Sequence, residues 1–199
     1  IRLEDASGRY SEFLKSTLDK KIKTKKLKIV LDCGNGATYD IAPSIFWELG
    51  HKVVSINNKP NGKNINYNCG AVNVGSLCKK VVEEKANIGF AFDGDGDRLI
   101  VVDDKGNEID GDKIIALFAK YLFNGKKNGS KFPVITTVMS NLGLENFLLK
   151  DLGIKLKRSP VGDINVIEEM KKNKSFLGGE QSGHIILSDF SKTGDGILA

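Results

Sequence analysis

Apolar runs of strand length alternate with stretches of helical periodicity along this chain, the pattern of βαβ units and a largely parallel sheet. Residues 7–20 open it as an amphipathic helix, 27–31 (LKIVL) read as a buried strand, 38–49 as a helix stopped by Gly50, and 52–56 as a second strand. An Asn- and Gly-rich loop covers 57–70, residues 74–86 are helical, and 88–92 (IGFAF) form a third strand. Residues 98–102 and 108–109 flank the turn DDKGN, which predicts a β-hairpin. A second cycle begins at Gly111, where Asp112 is expected to cap a helix running to about Phe123. A loop at 124–131, a strand at 133–138, a helix at 142–149, a strand at 154–157 and a helix at 161–171 follow, and 175–177 with 184–187 make a closing strand pair. The expected class is α/β: two consecutive domains, 1–110 and 111–199, with mixed, mostly parallel sheets flanked by helices.

The densest chemistry is Asp93-Gly94-Asp95-Gly96-Asp97-Arg98, directly after the third strand. Strand C-terminal ends are where α/β sheets receive ligands. Carboxylates at alternate positions repel, each close pair by ~4 kcal/mol at 4 Å and an effective dielectric of 20, so the loop calls for a cation. Two intervening glycines let the carboxylates converge, and hard oxygen donors select Mg²⁺ or Ca²⁺. An EF-hand would need Gly at its sixth position and Glu at its twelfth; counted from Asp93 these are Arg98 and Asp104. A phosphatase with an aspartyl nucleophile also places D-x-D after an apolar strand, but usually follows D-x-D-G with Thr or Val, where this chain has Asp97.

A second candidate is Gly178-Gly179-Glu180-Gln181-Ser182-Gly183-His184, a loop between strands. Its carboxylate, hydroxyl and imidazole suit a polyhydroxylated ligand. A Ser182–His184 hydrolase dyad is the other reading, and it lacks the G-x-S-x-G setting. Lys192-Thr193-Gly194-Asp195-Gly196 reads as a turn that N-caps a helix through Asp195 or as part of a site, and residues 32–37 (DCGNGA) as a structural turn or a phosphate cradle lacking the third glycine of the dinucleotide fingerprint. His51 is expected on the surface of a helix-to-strand loop.

The 199 residues correspond to about 1.3 typical domains, and 40% hydrophobic with 28% charged residues excludes a disordered or collagen-like chain. The net charge of +5 is local: seven lysines lie between Lys15 and Lys28 with no interleaved aromatic, which favours a solvated helix face over a nucleic-acid patch. No apolar run approaches the ~20 residues of a membrane span and no signal-peptide core is present. Cys33, Cys69 and Cys78 are odd in number and form no CxxC, so they read as reduced structural thiols. A soluble cytoplasmic protein without nucleic-acid or membrane partners is expected. The absence of an initiator Met and of a stop signal after Gly196-Ile197-Leu198-Ala199 makes the chain read as an excerpt of something longer.

Taken together and in this order, DGDGDR at 93–98, GEQSGH at 179–184 and TGDG at 193–196 resemble the α-D-phosphohexomutase superfamily. DCGNGATY at 32–39, NINYNCGA at 64–71, MSNLGLE at 139–145 and VGD at 161–163 support the resemblance, which covers nearly the whole chain. Gln181 and MSNLGLE lean toward the phosphoglucosamine mutase branch over the phosphomannomutase and phosphoglucomutase branch. Members have four domains, and this chain resembles the second and third.

The resemblance implies that Asp93, Asp95 and Asp97 bind Mg²⁺, that Arg98 supports a phosphoserine, and that Glu180 and Ser182 hold sugar hydroxyls with His184 beside them as a catalytic candidate. It implies reversible interconversion of glucosamine 6-phosphate and glucosamine 1-phosphate through a bisphosphorylated intermediate, with glucose or glucosamine 1,6-bisphosphate as activator. It further implies a hexosamine phosphate substrate, a role in UDP-N-acetylglucosamine and peptidoglycan precursor synthesis, and a homodimeric full-length protein. The T-A-S-H-N-P loop, whose serine carries the phosphoryl group, has no counterpart in these residues, so the excerpt alone is expected to be inactive. The alternatives are a phosphomannomutase or phosphoglucomutase, or a non-catalytic metal- and sugar-binding half. One departure is Ile164, where relatives often carry a basic residue after VGD.

Overall fold

The computed structural model describes residues 4–18, 25–123 and 132–199. The expected loop at 124–131 and the end of the opening helix at 19–20 lie outside the described residues. Apart from the last two residues, the chain divides into one compact unit of residues up to 96 plus 101–108 and another of 97–100 plus 109–197.

In the first unit, α1 (Ala6–Thr17) precedes β1 (Lys28–Asp32), α2 (Ile41–Glu48), β2 (Lys52–Ile56), a 3-10 turn at Gly70–Val72, α3 (Gly75–Glu83) and β3 (Ile88–Phe92). β4 (Leu99–Asp103) and β5 (Glu108–Ile109) complete a sheet of order β2-β1-β3-β4-β5, in which β1 runs parallel to both β2 and β3. Val30, Leu31, Ala91 and Phe92 are fully buried, with Ala42 of α2 and Leu77 and Val81 of α3. Crossovers that run from β1 out to β2 and back past β1 to β3 put α2 and α3 on opposite faces when both are right-handed.

The second unit repeats this plan. After α4 (Gly111–Phe123) come β6 (Val134–Thr137), α5 (Leu142–Leu152), β7 (Leu156–Ser159), α6 (Asp163–Asn173), β8 (Leu177–Gly179) and β9 (Ile185–Leu187), in the order β7-β6-β8-β9. β6 is parallel to β7 and β8, and β9 is antiparallel to β8. Val166 and Met170, one turn apart on α6, pack with Ile135 and Ile186 in its core. Each sheet therefore reverses its strand order beside its first strand, at β1 and at β6, which is where doubly wound sheets open a crevice at the strand C-termini.

Several boundaries differ from the sequence reading for identifiable reasons. α2 starts at Ile41 and not at Thr38, because Pro43 has no N–H to give Tyr39 and is tolerated only within a first turn. α3 stops at Glu83, where Lys85 turns left-handed at φ 48° and Ala86 closes back onto the Val81 carbonyl at 2.9 Å. Ile154 is buried but belongs to no strand: past the left-handed Gly153 it donates to the Leu148 carbonyl and closes α5, so β7 begins at Leu156. Asp110, and not Asp112, caps α4, its carboxylate accepting from the Lys113 N–H at 3.1 Å. His51 is buried rather than superficial: its Nδ1 accepts from the Leu27 N–H at 3.3 Å and its ring lies tilted against Phe46. Among the described residues no helix is long and apolar enough to cross a membrane.

The start of β1 is pinned electrostatically. Lys28 Nζ lies 2.7 Å from Glu84 Oε2 and Lys80 Nζ 2.9 Å from Glu84 Oε1. Hydrogen bonds from Lys28 and then Lys80 hold the Glu84 carboxyl down to about 2. A carboxyl lowered in the folded state contributes stability that is complete above its unfolded value near ~4.3 and is lost as pH falls through the folded value. Thermal melts of the wild type are expected to fall more steeply between about pH 5 and pH 2 than those of Glu84→Gln; parallel curves would remove Glu84 as a source of the acid dependence.

Candidate functional site

The loop after β3 is held by the loop after β1. Asp32, fully buried at the end of β1, accepts from the Gly34 N–H at 3.0 Å and from the Ser76 hydroxyl at 3.2 Å. The turn so fixed brings the Ala37 N–H to the Gly94 carbonyl at 2.8 Å. A Cβ on Gly36 would collide with the Gly94 carbonyl oxygen, and one on Gly94 would lie 2.6 Å from Ile65 Cδ1. The backbones touch because residue 36 carries no side chain, while the missing side chain of Gly94 makes room for Ile65 on the other side.

On this support one carboxylate oxygen each from Asp93, Asp95 and Asp97 lies within 4.8 Å of the others. Asp93 is buried, Asp95 exposed and Asp97 half-buried. Three anionic oxygens at this spacing match the donor set of a hard divalent cation, so the residues fit the Mg²⁺ that the family pattern implies. Arg98 Nε lies 3.9 Å from Asp97 Oδ1.

In the second unit, Arg98 and His184 form an antiparallel β-bridge, and the Leu99 N–H donates to the Gly183 carbonyl at 2.9 Å. His184 is 2% exposed, with Nε2 3.4 Å from Asp97 Oδ2. A side chain on Gly194 would strike the imidazole, so the TGDG segment closes over the ring. Asp195 in that segment accepts from the Ile197 N–H at 3.1 Å. Glu180 and Gly183 form a tight turn, Gly183 N–H to Glu180 carbonyl at 3.0 Å, which leaves Ser182 exposed at its tip. The Glu180 carboxylate is not idle: Oε1 accepts from the Gly162 N–H at 3.2 Å, linking this turn to the one before α6. Ile164, in the first turn of α6, is 67% exposed.

The structure thus brings Asp97, Arg98 and His184 together and places Glu180 and Ser182 on one turn. The sequence reading missed that Glu180 is braced by Gly162 and that Asp112 is a buried acceptor for Asn141, contacts spanning 18 and 29 residues. The thiols are poor nucleophiles: burial pushes Cys33 up to about 12 and raises Cys69 and Cys78.

Comparison with known proteins matches residues 8–106 to the phosphoglucomutase/phosphomannomutase alpha/beta/alpha domain II and residues 110–199 to domain III. Phosphoglucosamine mutase of Bartonella bacilliformis is 50% identical over 198 residues, covering 100% of this chain and 44% of that protein. A phosphoglucomutase/phosphomannomutase family protein of Burkholderia thailandensis superposes with a TM-score of 0.83 at 29% identity, over 98% of this chain and 42% of that one. N-acetylphosphoglucosamine mutase of Aspergillus fumigatus, solved with GlcNAc-6P and magnesium, shares the fold with a TM-score of 0.68 at 19% identity, over 90% of this chain and 36% of its own. The chain spans less than half the length of these relatives.

Proposed function

The chain belongs to the phosphoglucomutase/phosphomannomutase family, and from that premise we propose that it supplies the metal-holding and sugar-holding parts of a phosphoglucosamine mutase. The observation that carries this reading is the convergence of Asp93, Asp95 and Asp97 within 4.8 Å at the end of a parallel strand. The two functional domains meet at residues 110 and 111. The full-length protein is cytoplasmic and binds a hexosamine phosphate.

Asp93, Asp95 and Asp97 hold Mg²⁺, which when bound offsets charge on the transferring phosphoryl group. Phosphoryl transfer runs from a phosphoserine outside these 199 residues to the C1 hydroxyl of glucosamine 6-phosphate. The bisphosphate then turns over and its 6-phosphoryl group returns to the serine, leaving glucosamine 1-phosphate. Arg98 supplies positive charge beside the phosphoserine, and His184, buried with Nε2 3.4 Å from Asp97 Oδ2, is the catalytic candidate beside it. Glu180 accepts from sugar hydroxyls through the oxygen that Gly162 does not engage, and Ser182 adds a hydroxyl from the exposed tip of the turn.

The test is turnover by the full-length protein with Mg²⁺ and a catalytic amount of glucose 1,6-bisphosphate, on glucosamine, mannose and glucose 6-phosphates. Preference for glucosamine 6-phosphate supports the reading, preference for another sugar moves it to a sister branch, and no turnover of any refutes it. Within this assay Glu180→Ala is expected to raise KM about tenfold with a smaller change in kcat, because its hydroxyl contacts persist from ground state to transition state. A KM within twofold of wild type would take Glu180 out of the sugar site.

A further inference from the structure

Resting on that reading, we infer that Gly111 and Asp112 are the positioning residues of the sugar-holding turn. They enter α4 directly after its cap, Asp110. Asp112 is 1% exposed, and its Oδ2 accepts two hydrogen bonds at 2.8 Å, from the backbone N–H and from the side-chain amide of Asn141. Asn141 in turn caps α5, its Oδ1 accepting from the Leu144 N–H at 2.8 Å. One carboxylate therefore joins the first turns of two helices, whose N-terminal dipoles favour negative charge at that point.

Gly111 carries the connection onward. Its N–H donates to the Gln181 carbonyl at 3.0 Å, and a Cβ there would collide with the Glu180 carbonyl oxygen and lie 2.8 Å from the Gly183 nitrogen. The path runs from the turn after β6 through Asp112 and Gly111 to the turn after β8. Those strands are neighbours at the point where the order of this sheet reverses, the place such sheets present to ligands.

Stability alone is an incomplete account of Asp112: its Oδ1 is buried with no hydrogen-bond partner among the described residues, which offsets part of what the Asn141 contacts contribute. What the carboxylate provides is register: it fixes where α4 starts, and with it the distance at which Gly111 meets Glu180.

The test compares Gly111→Ala, Asp112→Ala and Asp112→Asn with wild type in the full-length protein. The readouts are KM and kcat for glucosamine 6-phosphate, melting temperature, and hydrogen exchange at the Glu180 and Gly183 amides. Gly111→Ala and Asp112→Ala are expected to raise KM about tenfold, with kcat falling less than about threefold, and to speed exchange at both amides. Asp112→Asn keeps an acceptor for the Asn141 N–H and should recover most of the loss. A melting temperature that falls while KM and the two amides stay at wild-type values would make the pair merely structural and overturn the inference. Should Asp112→Ala not fold, Gly111→Ala decides alone by the same readouts. If wild type itself turns over no hexosamine phosphate, the functional reading fails, and unchanged exchange in Gly111→Ala would separately refute the positioning of the turn.

Discussion

Replacing Asp95 by Asn in the full-length protein is expected to lower turnover of glucosamine 6-phosphate by about a thousandfold while leaving the fold as stable as before or slightly more so. Asp95 is the exposed member of the three converging carboxylates, so its substitution leaves no cavity. Asp97 lies 3.4 Å from His184 Nε2 and 3.9 Å from Arg98 Nε, and Asp93 is buried, so changes there would mix structural and chemical effects. Without a cation the three carboxylates repel one another, and neutralising one relieves repulsion. With Mg²⁺, the loss of one anionic ligand weakens charge compensation on the transferring group, a contribution of several kcal/mol to the transition state at ~1.4 kcal/mol per tenfold in rate. Steady-state kinetics at saturating Mg²⁺ and calorimetric titration of the metal check both parts. Turnover within tenfold of wild type, with Mg²⁺ binding intact, would end the assignment of this loop as the metal site.

The convergence of Asp93, Asp95 and Asp97 was legible because its chemistry is contiguous: strand, three carboxylates and two spacers follow one another in the chain, and no distant residue is needed to notice the charge problem. The strands were legible for a similar reason, since a buried parallel strand such as Ile88–Phe92 is a local apolar run. Information carried by partners far along the chain was not. Ile154 has the composition of a strand and is used as the apolar stop of α5. His51 looks like a loop residue until the Leu27 N–H arrives from 24 residues away. The alternation of strands and helices suggested two similar domains, but their shared strand order, with a fourth strand after each central triplet, emerged only from the pairing. That order puts the Asp93–Arg98 loop and the Glu180–His184 loop at equivalent positions, each between the third and fourth strands of its plan. The two loops are topological counterparts, although they share no sequence pattern.

The glycines between Asp93 and Asp97 were read as spacers that let carboxylates converge, and the structure adds a close approach of Gly36 to one of them, Gly94, with a measurable consequence. Gly36→Ala is expected to destabilise the protein by about 2–3 kcal/mol and to weaken Mg²⁺ binding as well, although the nearest atoms to its methyl belong to the Gly94 backbone and not to a carboxylate. The added methyl would meet the Gly94 carbonyl oxygen and lie within 2.7 Å of the Gly94 carbonyl carbon, which are backbone atoms with no rotamer to escape into. Gly94 has little room to retreat, because its far side faces Ile65 and the Asn66 side-chain amide. The turn carrying residue 36 is itself tied by the Gly36 N–H to the Cys33 carbonyl at 2.9 Å and by the Ala37 N–H to Gly94. Relief must therefore come from moving the loop that carries Asp93 and Asp95, which spreads the carboxylates. Gly75→Ala is the control: it sits in the first turn of α3, where a Cβ meets only Asn73 Oδ1 at 3.4 Å, and should be neutral or stabilise by up to ~1 kcal/mol. Chemical denaturation and metal titration of the two variants side by side give the answer. Gly36→Ala as stable as Gly75→Ala, with unchanged Mg²⁺ affinity, would mean that the two loops do not bear on each other in solution.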